Sequence, residues 1–322
     1  MKEKIVSVLL ILSFLILLAF PVPVFSGASK GLLLWYRTVL PTLLPFMILS
    51  NFMIHTRALS YISRLAGPFI HRIFGVSYKG SFAVITGFFC GYPMGAKVTA
   101  DLIRSEKISA REGNYLLSFC NNTSPMFIIS YLVWQNLNRK DFLVPTLFIL
   151  TLSPICCSFL FRFYWMRGSG QKNAMKKNKE KSNCHTSAIS YKPLNFQLFD
   201  SCMMDSFEAI VKVGGYIMLF SILTELLQLL SGRLPMLKFL LPMLEITNGI
   251  SLLCQAGAPF RGTWIQVLAL TSFGGFCAAA QTECMIQKAG LKIAPYIIEK
   301  LITMLVTSLF AILYLTSPRL HP

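Results

Sequence analysis

Two short runs set helix-breaking residues beside polar side chains within apolar sequence: Gly91-Tyr-Pro-Met-Gly-Ala-Lys97, followed by Thr99 and Asp101, and Asn121-Asn-Thr-Ser-Pro125. Gly91, Pro93 and Gly95 around Tyr92 interrupt a helix. In hydrocarbon an interruption frees amides and carbonyls that are tolerated only when buried in protein or facing a polar cavity. A half-helix starting near Gly95 would aim its positive end inward, toward an anion or a polar solute, and Lys97 would add a full charge. The structural alternative is that the glycines permit tight helix packing and Lys97 reaches the headgroups. In the second run Pro125 removes one helical donor. Asn121, Asn122, Thr123 and Ser124 either repair that kink or coordinate a solute or ion, and four consecutive polar side chains exceed what one kink requires.

A third run, Phe273-Gly274-Gly275-Phe276, leads to Gln281, Thr282 and Glu283. A carboxylate inside a membrane is costly without a partner, so Glu283 pairs with Lys97, titrates, or sits at the interface. Glu225, and Glu245 with Asn248, pose the same choice. The chemistry implied is binding rather than catalysis. There is no Gly-x-Ser-x-Gly, Walker loop, His-Glu-x-x-His or dinucleotide fingerprint, no nucleophile with an adjacent base, and no catalytic residue or cofactor is assigned. His55, His71, His185 and His321 lack metal-ligand spacing, and no metal is assigned.

The elements that must position these residues are transmembrane helices. Of 322 residues 54% are hydrophobic, the mean hydropathy is +0.60 and 13% are charged, about half the usual charged share of a soluble domain. Ile5 to Val24, Leu32 to Ile54, Phe142 to Phe161, Val211 to Leu230 and Tyr296 to Thr316 each have a length suited to crossing a hydrocarbon layer about 30 Å thick. The fold class is all-α: a polytopic protein with roughly seven or eight helices or half-helices. The net charge of +17 is concentrated partly in Lys172, Lys176, Lys177, Lys179, Lys181 and Lys192. A basic loop between apolar spans marks the cytoplasmic side and is no argument for nucleic acid. The amino terminus is placed on the same side, in a multi-pass protein of the cell membrane. Residues 1–31 form an uncleaved anchor helix ending near Pro21-x-Pro23, 32–166 a first membrane half, 167–195 a basic cytoplasmic linker and 196–322 a second half. Gly80 to Arg104 is a bent or re-entrant segment, Phe196 to Glu208 an interfacial helix, and Met236 to Leu253 a broken span or a dip into the membrane.

The halves echo one another. Ile85-Thr-Gly-Phe88 matches Leu270-Thr-Ser-Phe273 at an offset of 185 residues, Lys107-Ile-Ser109 matches Lys292-Ile-Ala294 at the same offset, and Pro68 with Gly75 mirrors Pro242 with Gly249 at 174. Repeats carrying interrupted apolar segments, here expected to be inverted, are a signature of transporter folds with a polar site at the midplane.

Leu40-Pro-Thr-Leu-Leu-Pro-Phe46, Gly91 to Lys97, Leu117-Ser-Phe-Cys-Asn-Asn-Thr-Ser-Pro125 and Phe273 to Phe276 with Gln281 together resemble the YlbJ-type sporulation integral membrane proteins. These belong to the nucleoside-recognition or Gate domain group, which is similar to spore maturation membrane proteins, to the membrane part of ferrous iron transporters and to concentrative nucleoside transporters. The resemblance implies an endospore-forming host and a role in maturing the spore envelope or cortex, and it supplies no substrate. Two functions follow as expectations. One is a permease-like protein whose site for a small polar solute is built from Gly91 to Lys97, Asn121 to Ser124, Gly274, Gly275, Gln281 and Glu283. The other is a scaffold that recruits spore-assembly proteins through the lysine-rich loop or the interfacial helix. Lipid is a partner in both; the oligomeric state is not legible.

Overall fold

In a computed structural model, which describes residues 2–166, 196–232 and 236–317, the chain is a bundle of α-helices with no strand among the described residues. The basic linker at 167–195 lies outside them. Among the described residues six helical stretches are long and apolar enough to cross a membrane: Pro21–His55, Ala110–Leu137, Lys140–Trp165, Phe196–Leu230, Phe260–Ala289 and Ile293–Thr316.

α1 (Lys2–Ala19) ends just before the Pro21-x-Pro23 pair and is exposed from residue 4 onward. The chain then departs from the expected boundary between an anchor and a first span: α2 (Pro21–His55) is one helix of 35 residues. It pairs antiparallel with an equally long α9 (Phe196–Leu230). A β-carbon at Gly27 would sit 2.7 Å from the Ile222 Cα, and one at Gly31 equally close to the Met218 Cα. Small residues let two backbones approach in this way where lipid supplies no hydrophobic drive. Further along, Trp35 lies over Gly214 and donates its indole N–H to the Ile210 carbonyl at 3.0 Å, and the Asn51 amide donates to the Cys202 carbonyl at 3.2 Å. The π-helical turn Trp35–Val39 falls at this contact. The interfacial helix expected at Phe196 to Glu208 is therefore the first part of α9. Leu198, Cys202, Ser206 and Ala209 turn inward while Asp200, Asp205 and Glu208 stay exposed, so an amphipathic stripe continues directly into the apolar span.

α3 (Ala58–Phe74) leads to a doubled-back pair, α4 (Ser81–Cys90) and α5 (Met94–Arg104), joined by Gly91 and a cis Tyr92–Pro93 peptide. Residues eight apart in a straight helix are separated by about 12 Å. Here Gly87 and Gly95 both abut the Cys120 carbonyl oxygen, which would lie 2.6 Å from a Gly95 β-carbon, so the segment is a hairpin. α6 (Ala110–Cys120) is capped by the Ser109 hydroxyl, which accepts from the Glu112 N–H. It breaks at 121–124 and resumes as α7 (residues 125–137), mostly π-helical; α8 (Leu143–Met166) follows as a helix of 24 residues.

The second half repeats this order. α10 (Leu237–Leu244) and α11 (Ile246–Gln255) fold back about Glu245, with Gly249 against the Pro242 carbonyl. Thus Met236 to Leu253 is a hairpin. α12 (Phe260–Phe273) breaks at Gly274 and continues as α13 (Gly275–Ile286), and α14 (Ile293–Thr316) is again a helix of 24 residues. The corresponding features are Gly91 with Glu245, Asn122 with Gly274 and Leu143 with Ile293, at offsets of 154, 152 and 150 residues. This is not the register of 185 suggested by short sequence matches, which would set the interrupted α6–α7 against the unbroken α14. Four-residue apolar matches recur by chance in a chain of this composition, whereas backbone interruptions do not.

Contacts follow the same pattern. Within each half the second limb of the hairpin packs on the first part of the interrupted helix, α5 on α6 and α11 on α12, and the long helix packs there too. Between halves, α5 meets α13, α11 meets α7, and α8 meets α14.

Candidate functional site

Each hairpin tip rests on its own half's helix break. A β-carbon at Gly91 would lie 2.7 Å from the Ser124 nitrogen, and one at Gly275 would lie 3.0 Å from the Met243 carbonyl oxygen. The two constructions also touch each other, because the Tyr92 ring reaches Gly274 and the Thr123 hydroxyl donates to the Thr271 carbonyl at 3.2 Å. Four openings of the main chain thus converge on one place.

The freed backbone groups are satisfied locally. Ser124 caps α7 by accepting from the Phe127 N–H at 3.2 Å. Glu245 caps α11, its carboxylate accepting from the N–H groups of Thr247 at 3.1 Å and Asn248 at 2.9 Å and from the Thr247 hydroxyl. Gly274, at φ +89°, ends α12 with its N–H on the Leu270 carbonyl. The Asn122 amide donates to the Phe119 carbonyl at 2.6 Å. Fully buried Asn121 accepts from the Ala96 N–H at 3.3 Å and donates to the Thr282 hydroxyl at 2.8 Å and the Tyr296 hydroxyl at 2.9 Å. One amide therefore ties the break to α5, α13 and α14.

Beside this junction lies a cavity of about 510 Å³. Gly91, Tyr92, Thr123, Ser124 and Gln281 line it, as do Tyr131, Glu245 and Thr247. The opposite wall is apolar, from α2 and α9, with Phe46, Val213 and Ile217. The Tyr131 hydroxyl donates to the Thr247 carbonyl at 2.8 Å, linking α7 to the second hairpin. The buried Tyr92 hydroxyl has no hydrogen-bond partner among the described residues. A pocket that is mainly apolar, with a few fixed polar groups, is the usual form of a small-molecule site.

Not every residue singled out from the sequence is here. Pro93, Gly95, Asn121, Asn122, Gly274 and Gly275 build the junction behind the cavity wall. Lys97 faces elsewhere: it is 7% exposed and its ammonium lies 2.7 Å from Asp101, one turn along α5. It does not meet Glu283, one of whose oxygens is buried without a partner among the described residues. Helical spacing explains this, since Asp101 at i+4 is on the same face as Lys97. Glu225 pairs with Lys30 at 2.6 Å, away from the site. The sequence reading missed Tyr131, Thr247 and the buried pair Glu299 and Lys300. The last two carried a signal, adjacent charges inside an otherwise apolar span.

Residues 36–169 match the family model described as Gate, nucleoside recognition. The match covers less than half of the chain, which over this stretch is similar to Gate-domain membrane proteins. The matched segment includes both limbs of the first hairpin, the α6–α7 break and α8. The chain is also similar to the sporulation integral membrane protein YlbJ of Bacillus subtilis (strain 168), with 27% identity over 345 aligned residues, covering 96% of this chain and 83% of the relative. No solved structure matches.

The Asn121 side chain makes three hydrogen bonds at the junction. Asn121→Ala leaves the Ala96 N–H and the Thr282 and Tyr296 hydroxyls to find other partners. Intramembrane hydrogen bonds average about 0.6 kcal/mol and reach about 1.7 kcal/mol, so a loss of roughly 2 kcal/mol is expected over three bonds. Thermal melts of the detergent-solubilised protein, read by size-exclusion chromatography, would show it as a lower midpoint.

Proposed function

We propose that this chain moves a small polar solute across a membrane of the sporulating cell, binding it in the cavity where the two hairpin tips and two helix breaks meet, and that this movement serves maturation of the spore envelope or cortex. The convergence of four main-chain interruptions on one cavity carries the reading. A helical bundle that only filled space in lipid would gain nothing from opening its backbone hydrogen bonds four times at one depth. Hairpin, interrupted helix and long helix recur in each half, as expected of alternating-access transporters built from repeats. An inverted relation between the halves is supported by counting: among the described residues α6–α7, α8 and α9 make three traverses between the two hairpins, a number that favours entry of the hairpins from opposite faces. The sporulation setting is drawn from the similarity to YlbJ.

The test fills the cavity without touching the junction. Thr42→Trp, on the opposite wall of the cavity, expressed at normal level in a spore-former lacking its own copy, is expected to give spores depleted in at least one small polar compound that wild-type spores contain. Small-molecule extracts of purified spores and of the surrounding mother-cell compartment would be compared. Unchanged contents in both compartments would overturn the transport reading.

A further inference from the structure

α14 crosses the bundle without a break, yet it carries Lys300, 1% exposed, seven residues beyond Ile293 and so about 10 Å along the helix. A lysine at that depth can extend toward headgroups. This one turns inward, donating from its ammonium to the Asn122 side-chain oxygen at 2.8 Å, with the Tyr296 ring 5.7 Å away. The ionisable groups around it are the Cys120 thiol of α6, the Cys157 thiol of α8 and, on its own helix, Glu299. Glu299 is 6% exposed and accepts from the Trp165 indole at 2.6 Å. Neither Lys300 nor Glu299 belongs to an ion pair among the described residues.

A lone ammonium in the membrane interior is expensive, and ionisable residues kept there commonly form proton relays. A tie between α14 and the break needs no charge, because a glutamine could make it. What a lysine adds is a bond whose strength depends on a proton: charge-assisted hydrogen bonds are roughly twice as strong as neutral ones. Its acceptor, Asn122, lies in the first break, beside the Asn121 that joins α5, α13 and α14.

We infer that the Lys300 amine is the coupling-proton site of this protein: with the proton bound, the amine holds Asn122 and the α6–α7 break in the arrangement described here, and with the proton released the break is freed to rearrange. The inference rests on the transport reading and deepens it by naming a proton as the coupling ion. The step is a proton transfer: one N–H bond of the ammonium breaks, its electron pair stays on the nitrogen, and the proton passes to water or a neighbouring base.

Hydrogen exchange of the full chain in lipid nanodiscs tests it without knowledge of the solute. Protection of a peptide covering residues 119–127 is measured from pH 6 to pH 9, corrected for intrinsic exchange with a peptide from α9. In the wild type, protection is expected to fall about tenfold or more across one titration step, a coupling within the usual range. Lys300→Arg, which keeps its proton, should stay protected throughout, and Lys300→Met should lack the step. An unaltered step in Lys300→Met, or no step in the wild type, overturns the proton site and leaves the cavity reading standing. A step that vanishes in Lys300→Met while spore contents remain normal overturns its coupling to transport.

Discussion

Gly91→Ala is expected to disable the protein, while Gly215→Ala is expected to leave it intact. Gly91 sits at φ +83° and ψ −178°, a region open almost only to glycine, and a β-carbon there would press 2.7 Å from the Ser124 nitrogen. The strain alone costs of order 1–3 kcal/mol. The collision adds a shift of the hairpin tip away from the break, which opens the cavity wall where Gly91 and Ser124 meet. At Gly215, inside α9, nothing lies within 4 Å of an added β-carbon, and the better helix propensity of alanine offers up to about 1 kcal/mol. Thermal midpoints of the two purified variants and the spore-content assay check this together. Equal behaviour of the two would mean that the hairpin tip is not where the protein works.

Glu245 gives the second large effect, and its variants separate architecture from chemistry. Glu245→Ala removes the acceptor for two N–H groups and a hydroxyl at the start of α11. Loss of a helix cap costs about 1 kcal/mol, and each buried donor left unpaired costs about 1–3 kcal/mol. A drop of roughly 3 kcal/mol is expected, seen as a lower melting midpoint and less protein in the membrane. Glu245→Gln keeps one carbonyl oxygen for the cap. It should fold close to normally while changing the polarity of the cavity wall. If Glu245→Gln matches the wild type in both melting and spore contents, Glu245 is a cap and nothing more. A normal melt with altered contents makes it a part of the solute site.

The interruptions were legible because they rest on residue types with strict backbone consequences: Gly91 and Pro93, the run Asn121 to Pro125, and Gly274 with Gly275. The Lys97 and Asp101 pair is also within reach of the sequence, since i,i+4 spacing sets both on one helical face. Glu299 and Lys300 are two adjacent charges among many apolar neighbours, so the apolar character of the span as a whole conceals them. Asn121 with Thr282 and Tyr296, Tyr131 with Thr247, and Tyr92 against Gly274 join residues far apart in the chain. No local pattern specifies such meetings.

Apolar run lengths and breaker residues determined from the sequence alone that this is an all-helical membrane protein whose helices are interrupted, because hydrocarbon admits few other solutions for the backbone. Whether each interruption becomes a fold-back or a kink, and which break faces which tip, was decided only in three dimensions. The reason is physical: a freed N–H or carbonyl states that a partner is needed, and packing between distant segments chooses the partner.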